Sequence, residues 1–313
     1  MEREDNHLYY LDHIEEDVFF VLSNKNSPNF HILKSDINTK NIKDMSVVIP
    51  HNDLVFINNI YTISNYLILE VRKNGLPEIT IFNLITGSQS DISFEDHAYD
   101  VSLSLNDEKE NLKFNYSYSS LTCPESIYSY DLDEKKSNLL WQKNIVGFDK
   151  ADYEDKRLFV EVRDGTKVPV ILLSKVDIDI NNAPILFYGY GSYGINVDAT
   201  FRSSILPLIN RGFVFAIINI RGGGEMGKQW YEEGRLLNKM NTFNDFNDVI
   251  KSVLNQNIGD SSKVFARGGS AGGLLMGAII NLEPSLYKGI LSGVPFVDVL
   301  TTMSDATIPL TTF

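Results

Sequence analysis

Lys263-Val-Phe-Ala-Arg-Gly-Gly-Ser-Ala-Gly-Gly-Leu-Leu-Met-Gly-Ala-Ile-Ile-Asn281 is the stretch on which the reading of this chain turns. The short apolar run Val264 to Ala266 predicts a buried strand, and the helix formers from Leu274 to Ile280 predict a helix stopped before Pro284. Between them Gly268-Gly269-Ser270-Ala271-Gly272 fits G-x-S-x-G, the spacing of a nucleophile elbow. A strand that turns at once into a helix strains the residue at the bend and lifts its side chain off the sheet. The residues two before and two after must then be tiny, a need that Gly268 and Gly272 meet. The helix start aims free N–H groups and a positive dipole end at the bend, where an oxyanion would form. The alternative is a glycine-rich turn whose serine only caps the helix. The strand before and the helix after favour a functional serine.

Working outward, 313 residues suggest about two domains, and 43% hydrophobic residues are enough for sizeable cores. The net charge is −13 with no basic stripe, which argues against nucleic acid as a partner. It mildly favours cationic ligands, although solubility is the plainer role for it. Cys123 is the only cysteine, so no internal disulfide and no zinc cluster are expected. No metal or other cofactor is implied. The first residues, Met1 to His7, lack a basic segment followed by an apolar core, and no run reaches the ~18 apolar residues of a membrane span. These features predict a cytoplasmic protein with no membrane partner.

Residues 1–145 read as strand and turn throughout. Val18 to Leu22, Leu67 to Val71 and Leu112 to Tyr118 carry β-branched and aromatic residues in alternation. Pro28 to Asp36, Pro77 to Asn83 and Pro124 to Asp131 each run from a proline into a strand and then a polar turn, roughly 50 residues apart. A period of about 40–50 residues with several strands per unit is that of propeller blades. About three blades fit, whereas a closed propeller takes four to eight. A partial β-propeller is therefore expected, an ordinary antiparallel sheet being the alternative. Leu158 to Val162 and Val168 to Leu173 flank Asp164-Gly165 and predict a hairpin, followed by a loop over Ser174 to Asn182. From Ala183 strand and helix alternate. Strands are expected at Ile185 to Tyr188, Phe213 to Ile220, Val264 to Ala266 and Ile290 to Val294. Helices are expected over Phe201 to Ile209, Thr242 to Leu254 (capped by Asn241) and Leu274 to Leu282. Residues 146–313 thus predict a doubly wound, mostly parallel sheet, and the elbow makes it an α/β-hydrolase catalytic domain, incomplete at its C-terminal end.

Acyl transfer needs two donors on the developing oxyanion. The Ala271 N–H would be one. Tyr188-Gly-Tyr-Gly-Ser-Tyr-Gly194 leaves the first parallel strand, and a tyrosine hydroxyl there suits the second. The same residues read equally as a glycine-aromatic turn with packing tyrosines. Gly222-Gly-Gly-Glu-Met-Gly-Lys228 spells G-x-x-x-x-G-K, but Gln229 stands where a phosphate loop needs Ser or Thr for magnesium. A tight glycine loop beside the active-site edge of the sheet is the better reading. The five histidines, His7, His13, His31, His51 and His97, all lie in the strand-rich half without metal-ligand spacing. In an α/β-hydrolase the acid and then the histidine follow the serine. After Ser270 comes no histidine, and Asp298 and Asp305 come too soon to serve as the acid.

The second half resembles the prolyl oligopeptidase family of serine peptidases. The resemblance is carried by Tyr188 to Gly194, Arg221-Gly-Gly-Gly-Glu225 with Gln229-Trp230-Tyr231, Asn241 to Asp245, Gly268 to Gly273, Val294-Pro-Phe-Val-Asp298 and Thr307 to Thr312, in family order. Alanine after the serine resembles the oligopeptidase B branch, since the prolyl-specific branch usually carries asparagine. The resemblance implies that Ser270 is the nucleophile and that the Ala271 N–H and the Tyr190 hydroxyl form the oxyanion hole. Tyr193, in the same loop, is the candidate substrate-binding side chain. It further implies an acyl-enzyme oligopeptidase acting on short peptides, after basic residues in that branch, with the propeller excluding folded proteins. The family's propeller has seven blades and an extra N-terminal segment. Its acid, its histidine and the acidic residues that read a basic side chain would fall past Phe313. The expectation is an internal piece of a longer enzyme, lacking the triad Asp and His. A second polypeptide carrying them is the expected partner. A non-catalytic remnant or peptide-binding module is the alternative.

Overall fold

The computed structural model describes residues 4–15, 17–39, 41–104 and 111–308. The chain forms two compact units. The first is Met1–Lys156 with Asp198–Ser204 and Gly224–Trp230, and the second is Arg157–Val197, Ile205–Gly223 and Tyr231–Phe313.

The first unit holds three four-stranded antiparallel sheets, each built from four consecutive strands in spatial order. They are β1 (Tyr9–Glu15), β2 (Val18–Ser23), β3 (His31–Asp36) and β4 (Ser46–Ile49); β5 (Val55–Ile63), β6 (Tyr66–Lys73), β7 (Leu76–Asn83) and β8 (Gln89–Asp91); and β9 (Tyr99–Leu103), β10 (Lys113–Ser120), β11 (Ser126–Asp131) and β12 (Lys136–Gln142). These are the meanders of propeller blades. The proline repeat marks one strand in each: Pro28 precedes β3, Pro77 is the second residue of β7, and Pro124 precedes β11. Proline lacks a donor, so it stays at strand starts. Alternating side chains bury Ile68, Ile79, Phe114 and Tyr116 in one cluster and Phe20, Ile32, Leu67 and Leu69 in another.

The second unit carries a six-stranded mixed sheet of β13 (Tyr153–Glu161), β14 (Lys167–Lys175), β15 (Ile185–Tyr188), β16 (Val214–Ile218), β17 (Val264–Gly269) and β18 (Gly289–Gly293). The order is β13-β14-β16-β15-β17-β18, and β13 itself begins in the first unit. β16, β15, β17 and β18 run parallel, and β14 joins antiparallel to β16. The Asp-Gly hairpin turns where Gly165 takes φ +84°. β15 and β16 are buried almost throughout, as strands covered on both faces must be.

The helices are α1 (Leu206–Ile209), α2 (Lys228–Glu232), α3 (Lys239–Asn255), α4 (Ala271–Leu282) and α5 (Val299–Ser304). Two expectations need correction. The helix expected over 201–209 shrinks to the four residues of α1, because Pro207 can stand only in a first turn, and 198–204 packs instead into the first unit. Asn241 is not a cap. α3 starts two residues earlier, with Asn238 at the N-cap position, and the Asn241 side chain donates to the Glu233 carbonyl (2.9 Å). The expected stripe is correct within it: Phe243, Phe246, Val249, Ile250 and Val253 are all buried. No described helix is long and apolar enough to cross a membrane.

Candidate active site

β17 ends at Gly269 and α4 begins at Ala271, so Ser270 is the whole connection. It takes φ +57°, ψ −116°, a left-handed backbone that costs a non-glycine residue about 1–3 kcal/mol. The flanking glycines make the bend feasible. A Cβ on Gly268 would lie 2.2 Å from the Gly272 carbonyl oxygen, and one on Gly272 would lie 2.9 Å from the Gly189 oxygen. The bend is pinned from both sides, since Ser270 N–H donates to the Gly293 carbonyl (2.9 Å) and Phe296 N–H donates to the Ser270 carbonyl (3.0 Å). The Ser270 side chain is exposed and makes no capping bond to the helix. That removes the reading of the serine as a mere helix cap.

Ala271, Tyr190 and Tyr193 all lie in the same unit as Ser270. Ala271 is the first residue of α4, so its N–H is among the donors with no carbonyl one turn back. Tyr190 packs against Gly272, two residues past the serine, where an added Cβ would meet its ring at 3.3 Å, and its phenol feels Ser270 electrostatically. Burial pushes that phenol's pKa up, as does the neighbouring Tyr193, while Ser270 pulls it down. Tyr190 is therefore a neutral O–H donor across the physiological range. Tyr193 is 60% exposed and takes φ +60°.

The loop bearing Tyr190 is packed backbone to backbone. Gly191 takes φ +64°, and a Cβ there would meet Thr242 Cγ2 at 2.6 Å. A Cβ on Gly222 would lie 2.2 Å from the Gly191 oxygen, and one on Gly234 2.1 Å from the Gly222 nitrogen. Gly222, the first glycine of the G-x-x-x-x-G-K stretch, thus serves close approach of loops. Beneath them Arg221 grips Asp245 with two bonds (2.9 and 2.6 Å) and reaches Asp164 at 2.8 Å. Asp245 is fully buried, and burial raises its carboxyl against the opposing pull of Arg221. Thr242 Oγ1 donates within reach of the Arg221 and Gly234 carbonyls (2.8 and 3.0 Å). Lys239 Nζ donates to the Gly191 carbonyl and to Ser192 Oγ (2.8 Å). Nothing in the sequence singles out Lys239, because a lysine at a helix start reads as solvent-facing. Asp245 hides likewise as an ordinary helix acid; only its membership of the Asn241–Asp245 motif pointed to it.

The unit contains no histidine. Asp298 accepts from Thr301 N–H at the start of α5, and Asp305 accepts from Thr307, so both are engaged locally. Among the described residues no group of three His, Cys, Asp or Glu side chains is placed to hold a metal ion. The Thr311-Thr312 pair lies outside the described residues.

Two domain families match the chain: the N-terminal β-propeller domain of prolyl oligopeptidase over residues 1–143, and the prolyl oligopeptidase family over residues 199–312. The chain is 38% identical over 312 residues to dipeptidyl aminopeptidase BI of Pseudoxanthomonas mexicana, covering 99% of the chain and 43% of the relative. It is 36% identical over 313 residues to Protease 2 of Moraxella lacunata, covering 99% and 45%. Oligopeptidase B of Leishmania major superposes with a TM-score of 0.91 at 34% identity, covering 99% of this chain and 45% of that one. The chain thus spans less than half the length of the relatives it matches.

Proposed function

Given that the chain belongs to the prolyl oligopeptidase family, we propose that it carries the nucleophile and oxyanion hole of a serine oligopeptidase. The observation that carries this reading is the strained, exposed Ser270 at the strand-to-helix bend, with Tyr190 packed against Gly272 of the same elbow. Ser270 Oγ gives its proton to a base and attacks the scissile carbonyl; the C–N bond breaks, the amine leaves with that proton, and water then cleaves the acyl ester to free the acid and restore the serine. The Ala271 N–H and the Tyr190 O–H bind the oxygen that becomes negative in each tetrahedral intermediate. Tyr193, exposed on the same loop, contacts the peptide. Short peptides are the proposed substrates. Cleavage after basic residues is the finer proposal, drawn from the alanine at 271 and the net charge of −13.

The serine needs a proton acceptor, and its own unit offers no imidazole. An oxyanion hole without the base still exceeds water by ~10³–10⁴, far short of a full triad. These 313 residues by themselves are therefore proposed to be nearly inactive, Ser270 working where an Asp and a His of further polypeptide, in the same chain or another, reach it. One observation favours further polypeptide at this edge over a non-catalytic remnant. The outermost strand β18 and the segment after it leave Leu291, Val294, Val297 and Leu300 at least half exposed. An edge strand beside bare apolar side chains is a template for further pairing.

The test is hydrolysis of an arginyl amide by the chain alone, by the chain co-expressed with the sequence encoded downstream, and by Ser270→Ala in both settings. Activity only in the paired, unsubstituted protein is expected. Full turnover by the chain alone, or equal turnover by Ser270→Ala, overturns the proposal.

A further inference from the structure

Residues 189–194 form neither helix nor strand, and Gly191, Tyr193 and Gly194 all have φ near +60°. A segment with that backbone is held by tethers rather than by its own regular bonding. Gly189 N–H donates to the Arg267 carbonyl (3.4 Å), and Gly194 N–H donates to the Gly222 carbonyl (3.0 Å). Between these end points the tether beside Tyr190 is Lys239, bonded to the carbonyl of Gly191 and the hydroxyl of Ser192. Among the described residues those bonding partners are neutral. The ammonium also stands 5.9 Å from the Phe243 ring. Withdrawing a cation from water without a carboxylate is costly, and burial pushes this amine's pKa down to about 8. A methionine would fill the same space without that cost. What the methionine lacks is the N–H donors, two of which reach Gly191 and Ser192 just after Tyr190.

We propose that Lys239 is a positioning residue of the oxyanion hole: by gripping Gly191 and Ser192 it fixes the loop so that the Tyr190 phenol stays near Ser270. This rests on the peptidase reading for its purpose, but the positioning is measurable without turnover.

The experiment is fluorine NMR of the chain with fluorotyrosine incorporated, the Tyr190 line being assigned by its loss in Tyr190→Phe. Ser270→Ala should shift that line, because it removes the hydroxyl that the phenol feels. Lys239→Met should shift it in the same sense, leave the tyrosine lines outside 188–193 in place, and speed amide exchange across 190–194 about tenfold. Lys239→Arg, which keeps the cation, should return the line towards its original position. An unmoved line in Lys239→Met overturns the proposal. So does a shift of all tyrosine lines together, since the lysine would then hold the unit rather than the loop. An arginine variant no different from the methionine variant also overturns it, since charge would be irrelevant. A Tyr190 line that ignores Ser270→Ala while responding to Lys239→Met would count against the oxyanion-hole reading instead.

Discussion

Ser270 stores strain, and the strain has a measurable price. At φ +57°, ψ −116° a glycine would sit without conflict, and the serine side chain contributes no helix cap that its loss would remove. Ser270→Gly is therefore expected to stabilise the second unit by about 1 kcal/mol, after the extra unfolded-state entropy of glycine is subtracted. Urea unfolding measures it, and a destabilised variant would mean that the hydroxyl supports the fold. Tyr190→Phe should act oppositely on function alone. It removes one oxyanion donor, worth about 10²–10³ in kcat in an enzyme whose triad is complete, with little change in melting temperature. The elbow was legible because its steric demand is written in residue types: no side chain fits at 268 or 272. Tyr190 was less so, because spacing alone left a donor tyrosine and a packing turn equally open, and only the family resemblance named it.

At the scale of elements, the first two turns of α3 do more than its apolar stripe suggests. The stripe packs the helix, but Lys239 binds the loop at Gly191 and Ser192, while Thr242 and Asp245 both hold Arg221. Periodicity found the helix and missed this role, since polar residues at a helix start ordinarily read as solvated. The Arg221–Asp245 pair is buried at both ends. Removing Asp245 leaves the buried guanidinium to the more exposed Asp164 and, at 3.9 Å, Glu233, which costs up to about 3–5 kcal/mol. Asp245→Ala is thus expected to lose that much in urea unfolding. Asp245→Leu combined with Arg221→Met should lose much less, because it strands nothing. Equal losses in the two would show that the charge is already well solvated and the clamp loose.

Over the whole molecule, the blade repeat and the alternating half were both legible, since each rests on local periodicity. The inclusion of 198–204 and 224–230 in the first unit was not. It depends on bonds between residues far apart in sequence: Arg72 grips Asp198 with two bonds of 2.8 Å, and Asn29 accepts from Lys228 N–H at 3.1 Å. Around Arg72 the same unit collects acids. Burial pushes Asp100 up to about 6, helped by Asp198 and Glu70 and opposed by Arg72, and burial also raises Glu70. A carboxyl raised in the folded state binds its proton more tightly there than in the unfolded chain, so it favours folding at low pH. That stability is lost as pH rises through about 4 to 6, the span from the ordinary Asp value to that of Asp100. The net charge of −13 acts in the same direction, because self-repulsion relaxes as pH falls towards the isoelectric point near 4.8. The melting temperature of the first unit should therefore rise as pH is lowered from 7 to 5. Asp100→Asn removes a charge that the folded unit accommodates poorly. It should raise the melting temperature at pH 7 by a few degrees, on the order of 2 kcal/mol after solvent screening, and flatten the slope below pH 6. Scanning calorimetry at half-unit pH steps measures both effects, and a variant with the parent's slope would place the acid's ionisation outside the folding balance.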